Sequence, residues 1–141
     1  MASLKDYELL GEIGRGAFGV VYKVRNRHDN EIYVLKQVGI EKFDNNSKKQ
    51  AEVEASILKG IRSPYIVRYY ESFVEKNNLN IIMEFCSGGD LEKYLKRMAG
   101  RPLKEEAVWK FFIQMCLGVR DIHYKRVLHR DIKALNIFLT G

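Results

Sequence analysis

Proline and cysteine are nearly absent from this sequence, which has two of each in 141 residues, beside three histidines and one tryptophan. Cys86 and Cys116 lie too far apart for a chelating pair, and their apolar neighbours make them reduced thiols, so neither a disulfide framework nor a zinc site is expected. No Pro-rich linker, repeat or low-complexity tract divides the chain. No apolar run approaches the roughly 20 residues of a membrane span, and the opening Met1-Ala2-Ser3-Leu4-Lys5-Asp6 lacks the apolar centre of a signal peptide. The expected setting is therefore cytoplasmic or nuclear, with no membrane partner, and the acceptor pattern Asn45-Asn46-Ser47 reads as idle. Charge is not one-sided either. The 24 basic and 18 acidic residues give +6 without a basic run, so nucleic-acid binding is not indicated.

What is present is ordinary globular composition, 46% hydrophobic and 30% charged, enough for a substantial core. The chemistry concentrates in His129-Arg130-Asp131-Ile132-Lys133-Ala134-Leu135-Asn136. A carboxylate there can accept a hydroxyl proton, the lysine two residues on can hold a transferring phosphate, and the asparagine can hold a divalent cation. The octet follows a helix-period segment and precedes the apolar run Ile137-Phe138-Leu139, so it reads as a surface loop between helix and strand.

Earlier in the chain, residues 7–13 and 20–25 read as strands flanking Gly14-Arg15-Gly16-Ala17-Phe18-Gly19. Glycines let backbone amides approach phosphate oxygens. A dinucleotide-binding fold would place a helix after them. Val20-Val21-Tyr22-Lys23-Val24 instead favours a strand, so the turn becomes a lid over phosphates, with Phe18 either shielding them or simply exposed. A third strand, residues 31–36, ends in Lys36. Ser47-Lys48-Lys49-Gln50 fits a capping box opening a helix whose apolar positions are Val53, Ile57, Leu58 and Ile61. On that helix Glu54 shares a side with Leu58 and Ile61. An inward carboxylate needs a cation, so it is expected to pair with Lys36 unless it sits at the stripe's edge and reaches solvent. Ser63-Pro64 ends the helix. Strands over 66–70 and 79–85, joined by a turn at 75–78, bring the sheet to about five strands. Asp90 suits the N-cap of a short helix carrying Leu91, Tyr94, Leu95 and Met98. A longer helix over 104–124 has acidic residues in its first turn and a core stripe of Val108, Phe111, Phe112, Met115, Val119 and Ile122.

The octet matches H-R-D-x-x-x-x-N, and together with Gly14, Gly16, Gly19, Val21, Lys36 and Glu54 in this order the chain resembles a protein kinase. Lys133 after Asp131 is similar to the serine/threonine type. Tyr33-Val34-Leu35-Lys36, residues 83–91 and Asn136-Ile137-Phe138-Leu139-Thr140 resemble the NIMA-related kinases. The resemblance implies an α+β, protein kinase-like fold: a five-stranded antiparallel N-lobe sheet with one major helix and hinge over 1–86, and the first helices and catalytic loop of an incomplete helical C-lobe over 87–141. It implies phosphorylation of protein serine or threonine with ATP and magnesium. Under it, the glycine loop and Lys36 hold the triphosphate, Asp131 takes the hydroxyl proton, Lys133 stabilises the transferred phosphoryl group and Asn136 binds magnesium. Adenine would lie between Ile13, Val21 and Val34 above and Phe138 below, behind it Met83, with backbone groups of Glu84 and Cys86 on its edge. Asp90 would then stand near the ribose, although its capping role alone explains it. Cytoskeletal or cell-cycle partners, and a centrosomal or cytoskeletal location, come from the family likeness only.

Two departures matter. Val34 stands where the family pattern has alanine, narrowing the adenine space, and Ala134-Leu135 is unusual within the loop. No D-F-G or A-P-E occurs before Gly141, so these 141 residues alone are expected to transfer little or no phosphate and to leave the 108–122 stripe partly uncovered. A nucleotide-responsive module without catalysis is the alternative reading.

Overall fold

The structure, a computed structural model, describes residues 1–17 and 19–141; the expectation for Phe18 lies outside the described residues. The chain folds as two compact units. The first comprises Met1–Gly60 and Arg68–Phe85, the second Ile61–Val67 and Cys86–Gly141.

The first unit is an antiparallel sheet of β1 (Tyr7–Gly16), β2 (Gly19–Asn26), β3 (Ile32–Gly39), β4 (Tyr69–Glu75) and β5 (Asn78–Glu84), in the order β1-β2-β3-β5-β4. Alternation along the strands gives it two faces. One carries the buried cluster Tyr7, Val24, Leu35 and Ile82. There Tyr33 packs edge-on against both Tyr7 and Tyr70, with ring centroids 6.5 and 5.1 Å away, the arrangement favoured by the ring quadrupole. The other carries Ile40, Leu79 and Ile81, with Ala51 of the helix α1 (Asn45–Lys59) packed against them. Asn80 is wholly buried, and its amide donates to the carbonyls of Asn78, Phe73 and Glu75 while its own oxygen accepts from Gln37. Every polar atom of that side chain is thereby satisfied inside the sheet. Lys76 and Asn77, with φ of 53° and 58°, close the β4–β5 hairpin, as a two-residue turn with positive φ at both positions does.

Several sequence expectations shift here. Helix α1 starts earlier than Ser47: Asp44 is its N-cap, and its carboxylate accepts from the Ser47 N–H at 2.7 Å. An aspartate at the cap serves the free N–H of Ser47, one turn before the Gln50 amide that the serine was expected to serve. Val53 and Ile57 lie 58% and 43% exposed, whereas Ala55 is buried. The inward side is therefore Ala51, Ala55 and Leu58 at i, i+4 and i+7, and of these Ala51, packed against the sheet cluster, is small enough to allow a close approach. Helix α1 ends at Lys59, so Ile61 lies beyond it. Strand β4 begins at Tyr69, leaving Ile66 and Val67 outside the sheet.

In the second unit, helix α2 (Leu91–Arg97) begins at Asp90, whose side chain accepts from the Lys93 N–H at 2.8 Å. Helix α3 (Glu105–Tyr124) follows. Residues Ile61–Val67 dock on it where Gly118 has no side chain, because a Cβ there would meet the Tyr65 carbonyl oxygen at 3.0 Å. Beside it the Ser63 hydroxyl donates to Asp121 at 2.6 Å. That bond and the Arg120 guanidinium hold the Asp121 carboxyl below its usual range. Tyr94 packs edge-on against Phe111. Of the expected core stripe only Ile122 is buried, while Val108 and Phe112 stand about half exposed at 48% and 51%. Gly88 and Gly89 pair with Leu139, and Leu91 with Ile137, through three backbone hydrogen bonds of 2.8 Å each. Asp90 and Phe138 are bridge partners in this short ladder.

Candidate functional site

Strand register places the expected nucleotide-binding residues of the first unit together. Gly14 stands opposite Val21, Val21 opposite Lys36, Val34 opposite Met83, and Lys36 opposite Ile81. Directly paired residues share a face and so do alternate residues along a strand, so Gly14, Val21, Val34, Lys36 and Met83 all belong to one side of the sheet. Ile13 falls in the register shift between Glu12 and Gly14 and is 44% exposed. At the end of β5, the Glu84 N–H donates to the Arg68 carbonyl at 2.8 Å and its carboxylate accepts from the Arg68 N–H at 3.1 Å.

Glu54 does not behave as an inward carboxylate. It is exposed, and among the described residues no ion pair joins it to Lys36. With the inward side formed by Ala51, Ala55 and Leu58, position 54 falls at its edge and reaches solvent. It still stands close enough to Tyr69 that its charge adds to burial in raising that phenol's pKa.

The glycines of the turn are not equivalent. At Gly19, with φ of 134°, a Cβ would lie 1.8 Å from the Gln37 carbonyl oxygen, whereas at Gly16 it would meet nothing within 4 Å. Gly19 is thus required by the sheet itself. Nothing among the described residues requires Gly16, so it is the glycine at which the expected close approach of a ligand can be tested apart from the fold. Gly16→Ala is expected to leave the melting temperature unchanged or slightly raised, since it restricts the unfolded chain without a clash, while weakening ATP binding on the order of tenfold, about the worth of one hydrogen bond to a charged group. Gly19→Ala is expected to destabilise. Thermal denaturation and calorimetric titration of both variants check the contrast.

In the second unit the loop after α3 draws the predicted trio together. The Asn136 amide donates to the Asp131 carbonyl at 2.9 Å and to its carboxylate at 3.1 Å. Lys133 Nζ lies 3.3 Å from the same carboxylate, with the two side chains 51% and 60% exposed. A 3-10 turn, Ala134–Asn136, provides the reversal that returns Asn136 to Asp131. His129 completes the arrangement: its Nδ1 accepts the Asp131 N–H at 3.2 Å, across an Arg130 held at φ 67°. This role of His129 was not read from the sequence, and the spacing of two residues between imidazole and amide is the only trace of it. A left-handed non-glycine residue costs about 1–3 kcal/mol and is characteristic of functional loops.

Asp90 is buried at 7% exposure, and its carboxylate serves α2, with Lys93 Nζ at 3.6 Å; capping thus accounts for it. Phe138 is 49% exposed. The Cys86 carbonyl accepts from the Gly89 N–H at 3.2 Å, and neither cysteine forms a disulfide. Among the described residues no group of three or more His, Cys, Asp or Glu is arranged to hold a metal. Asn136 turns its amide nitrogen to Asp131, and its amide oxygen and the Asp131 carboxylate are oxygen donors of the kind that suits a hard divalent cation such as magnesium.

Comparison with known proteins gives the family. The family model described as protein kinase domain matches residues 7–141. Serine/threonine-protein kinase Nek1 of Mus musculus is 36% identical over 137 residues, covering 97% of this chain and 11% of that protein. Serine/threonine-protein kinase Nek5 of Homo sapiens is 39% identical over 97% of this chain and 19% of its own length. Serine/threonine-protein kinase Nek3 of Mus musculus is likewise 39% identical, over 97% of this chain and 26% of its length. The chain thus spans roughly a tenth to a quarter of these relatives.

Proposed function

This chain belongs to the protein kinase family, and on that premise we propose that it is part of an enzyme moving the γ-phosphate of ATP to a serine or threonine hydroxyl of a protein. The observation that carries the proposal is the cluster of Asp131, Lys133 and Asn136, joined by contacts of 2.9 to 3.3 Å. In it Asp131 orients the substrate hydroxyl and accepts its proton as the new P–O bond forms and the bond from the γ-phosphorus to the departing ADP breaks. Lys133 neutralises charge on the phosphoryl oxygens, which is stabilisation delivered where charge is redistributed. Lys36 and the amides around Gly14, Gly16 and Gly19 hold the phosphates, while Val21, Val34, Met83, Ile13 and Phe138 give the adenine apolar contact, with backbone groups of Glu84 and Cys86 on its edge. Asn136 would hold magnesium, which supplies charge neutralisation between the phosphates when bound.

We assign residues 1–86 to the nucleotide-binding lobe and hinge, and residues 87–141 to the start of the substrate-binding lobe. Lys133 and the likeness to Nek1, Nek5 and Nek3, each named a serine/threonine-protein kinase, support the serine/threonine assignment. A cytoplasmic location, extending to nucleus, centrosome or cytoskeleton, and cytoskeletal or cell-cycle partners complete the proposal.

The test is thermal denaturation of the chain with ATP, with and without magnesium, beside phosphotransfer by the full-length protein. Stabilisation of about 2.7 kcal/mol is expected at ATP 100-fold above its Kd, and Lys36→Met removes it. No response to ATP at any magnesium concentration overturns the reading. The exposed Glu54 favours a second reading, a nucleotide-responsive binding module, which would answer to ATP yet transfer no phosphate at full length.

A further inference from the structure

The face of the sheet opposite Lys36 has an opening of its own. Between the N-terminal turn and the β4–β5 hairpin lies a cavity of about 310 Å³. Its floor is Val24 and Leu35, both buried at 1% and 3% exposure, and Leu4, Leu9 and Tyr22 form its apolar sides. The walls are fixed. Ser3 and Asp6 cap the turn that carries Leu4, and the Glu75 carboxylate accepts from the Ser3 hydroxyl at 3.1 Å and the Leu4 N–H at 2.9 Å.

Lys76 is the one charged residue of the lining, beside the polar groups of Gln37, Tyr7 and Tyr22. Lys76 lines the cavity from the hairpin turn, and among the described residues no carboxylate pairs with it. The two nearest acids in its hairpin are committed elsewhere, Glu75 to the N-terminal turn and Glu71 to the Tyr7 hydroxyl at 2.6 Å. A largely apolar pocket whose one charged lining residue is a lysine without an ion-pair partner suits a ligand with an apolar body and one negative charge placed at that lysine.

We propose that this cavity is a binding site for a small carboxylate with an aromatic or branched aliphatic body, separate from the Lys36 face. Its volume falls at the lower end of the roughly 300–1,000 Å³ typical of small-molecule pockets. A peptide strand is disfavoured as occupant. The floor strands β2 and β3 are central in the sheet, so their backbone groups are spent on the ladder and offer no edge for an added strand.

The test is an NMR titration of the ¹⁵N-labelled chain with 4-phenylbutyrate, and with 4-phenylbutanol as its uncharged counterpart. Saturable amide shifts at Tyr22, Leu35, Gln37 and Lys76 are expected, with the alcohol bound about tenfold more weakly, the worth of one charge-assisted hydrogen bond. Lys76→Gln, at an exposed turn position, is expected to bring the acid down to the affinity of the alcohol and leave the alcohol unchanged. Lys36→Met is expected to leave both affinities as they are, so this site stands or falls independently of the ATP reading. Shifts that do not saturate, that centre on Phe112 and Val119 of α3, or that are equal for acid and alcohol overturn the proposal.

Discussion

Asp131→Asn is expected to lower phosphoryl transfer by about 10²–10⁴-fold, the range for loss of a positioned general base, while ATP affinity and thermal stability stay near wild type. The separation follows from what the carboxylate touches. Its contact with Lys133 is between side chains half open to water, so losing that ion pair costs at most about 1 kcal/mol. Asn136 also keeps its 2.9 Å hydrogen bond to the Asp131 main-chain carbonyl, and an asparagine oxygen at position 131 can still accept the second one. The loop therefore holds its shape without the charge. Asn136→Ala is the informative companion. It removes both hydrogen bonds to Asp131 along with the amide oxygen proposed to hold magnesium, so its rate loss is expected to come with a raised magnesium requirement. Initial rates against ATP and magnesium, measured on the full-length protein, separate the two variants. A rate for Asp131→Asn within about threefold of wild type, far short of the loss a general base implies, would remove Asp131 from the chemistry.

What could be read from the sequence depended on how local the signal was. The Asp131, Lys133 and Asn136 contacts close within a single short loop, so a motif contains them whole. The strands flanking the glycine turn were readable for a similar reason: Val20-Val21-Tyr22 has strand formers that no helix start would place there. Asp90 as a cap was equally local. The errors arose where two local signals competed or where a distant surface decided. Ser47 and Asp44 both suit an N-cap, and the structure uses the earlier one, so the assumed start of α1 moved. Glu54 was judged against a stripe of large residues, whereas the helix meets the sheet through Ala51 and its buried residue is Ala55. Small residues carry little hydrophobic signal, yet they mark where two backbones come nearest. Ile61 and Ile66 looked like the end of a helix and the start of a strand, but both belong to the unit of α3, where Ile66 lies against Gly118. A glycine inside a helix gave no indication of which distant segment it admits.

The same reasoning makes Gly88 a second position, beside Gly19, where a side chain is expected to cost stability. Its φ lies outside the left-handed region, so alanine is not excluded by backbone conformation; what excludes it is space. A Cβ there would lie 2.6 Å from the Leu139 carbonyl oxygen and 2.9 Å from the Leu139 carbonyl carbon and Cβ. Replacing glycine restricts the unfolded chain and favours folding by about 0.4–1 kcal/mol. Against this, overpacking costs about 1–3 kcal/mol, and forcing the strands apart weakens the 2.8 Å Gly88 to Leu139 hydrogen bond, worth about 0.5–1.5 kcal/mol. The balance is destabilising, and for a chain of this size it is expected to lower the melting temperature on the order of 5 °C. Gly16→Ala, with nothing within 4 Å of its Cβ, is the control that isolates the steric part. The consequence reaches the site because the ladder that Gly88 closes also holds Phe138 opposite Asp90 and ties Ile137, the residue after Asn136, to Leu91. Gly88→Ala is therefore expected to weaken ATP binding as well, by moving the aromatic ring proposed to support the adenine. Equal melting temperatures for Gly88→Ala and Gly16→Ala would show that the ladder yields without cost, and would remove Gly88 from the account of how Phe138 is positioned.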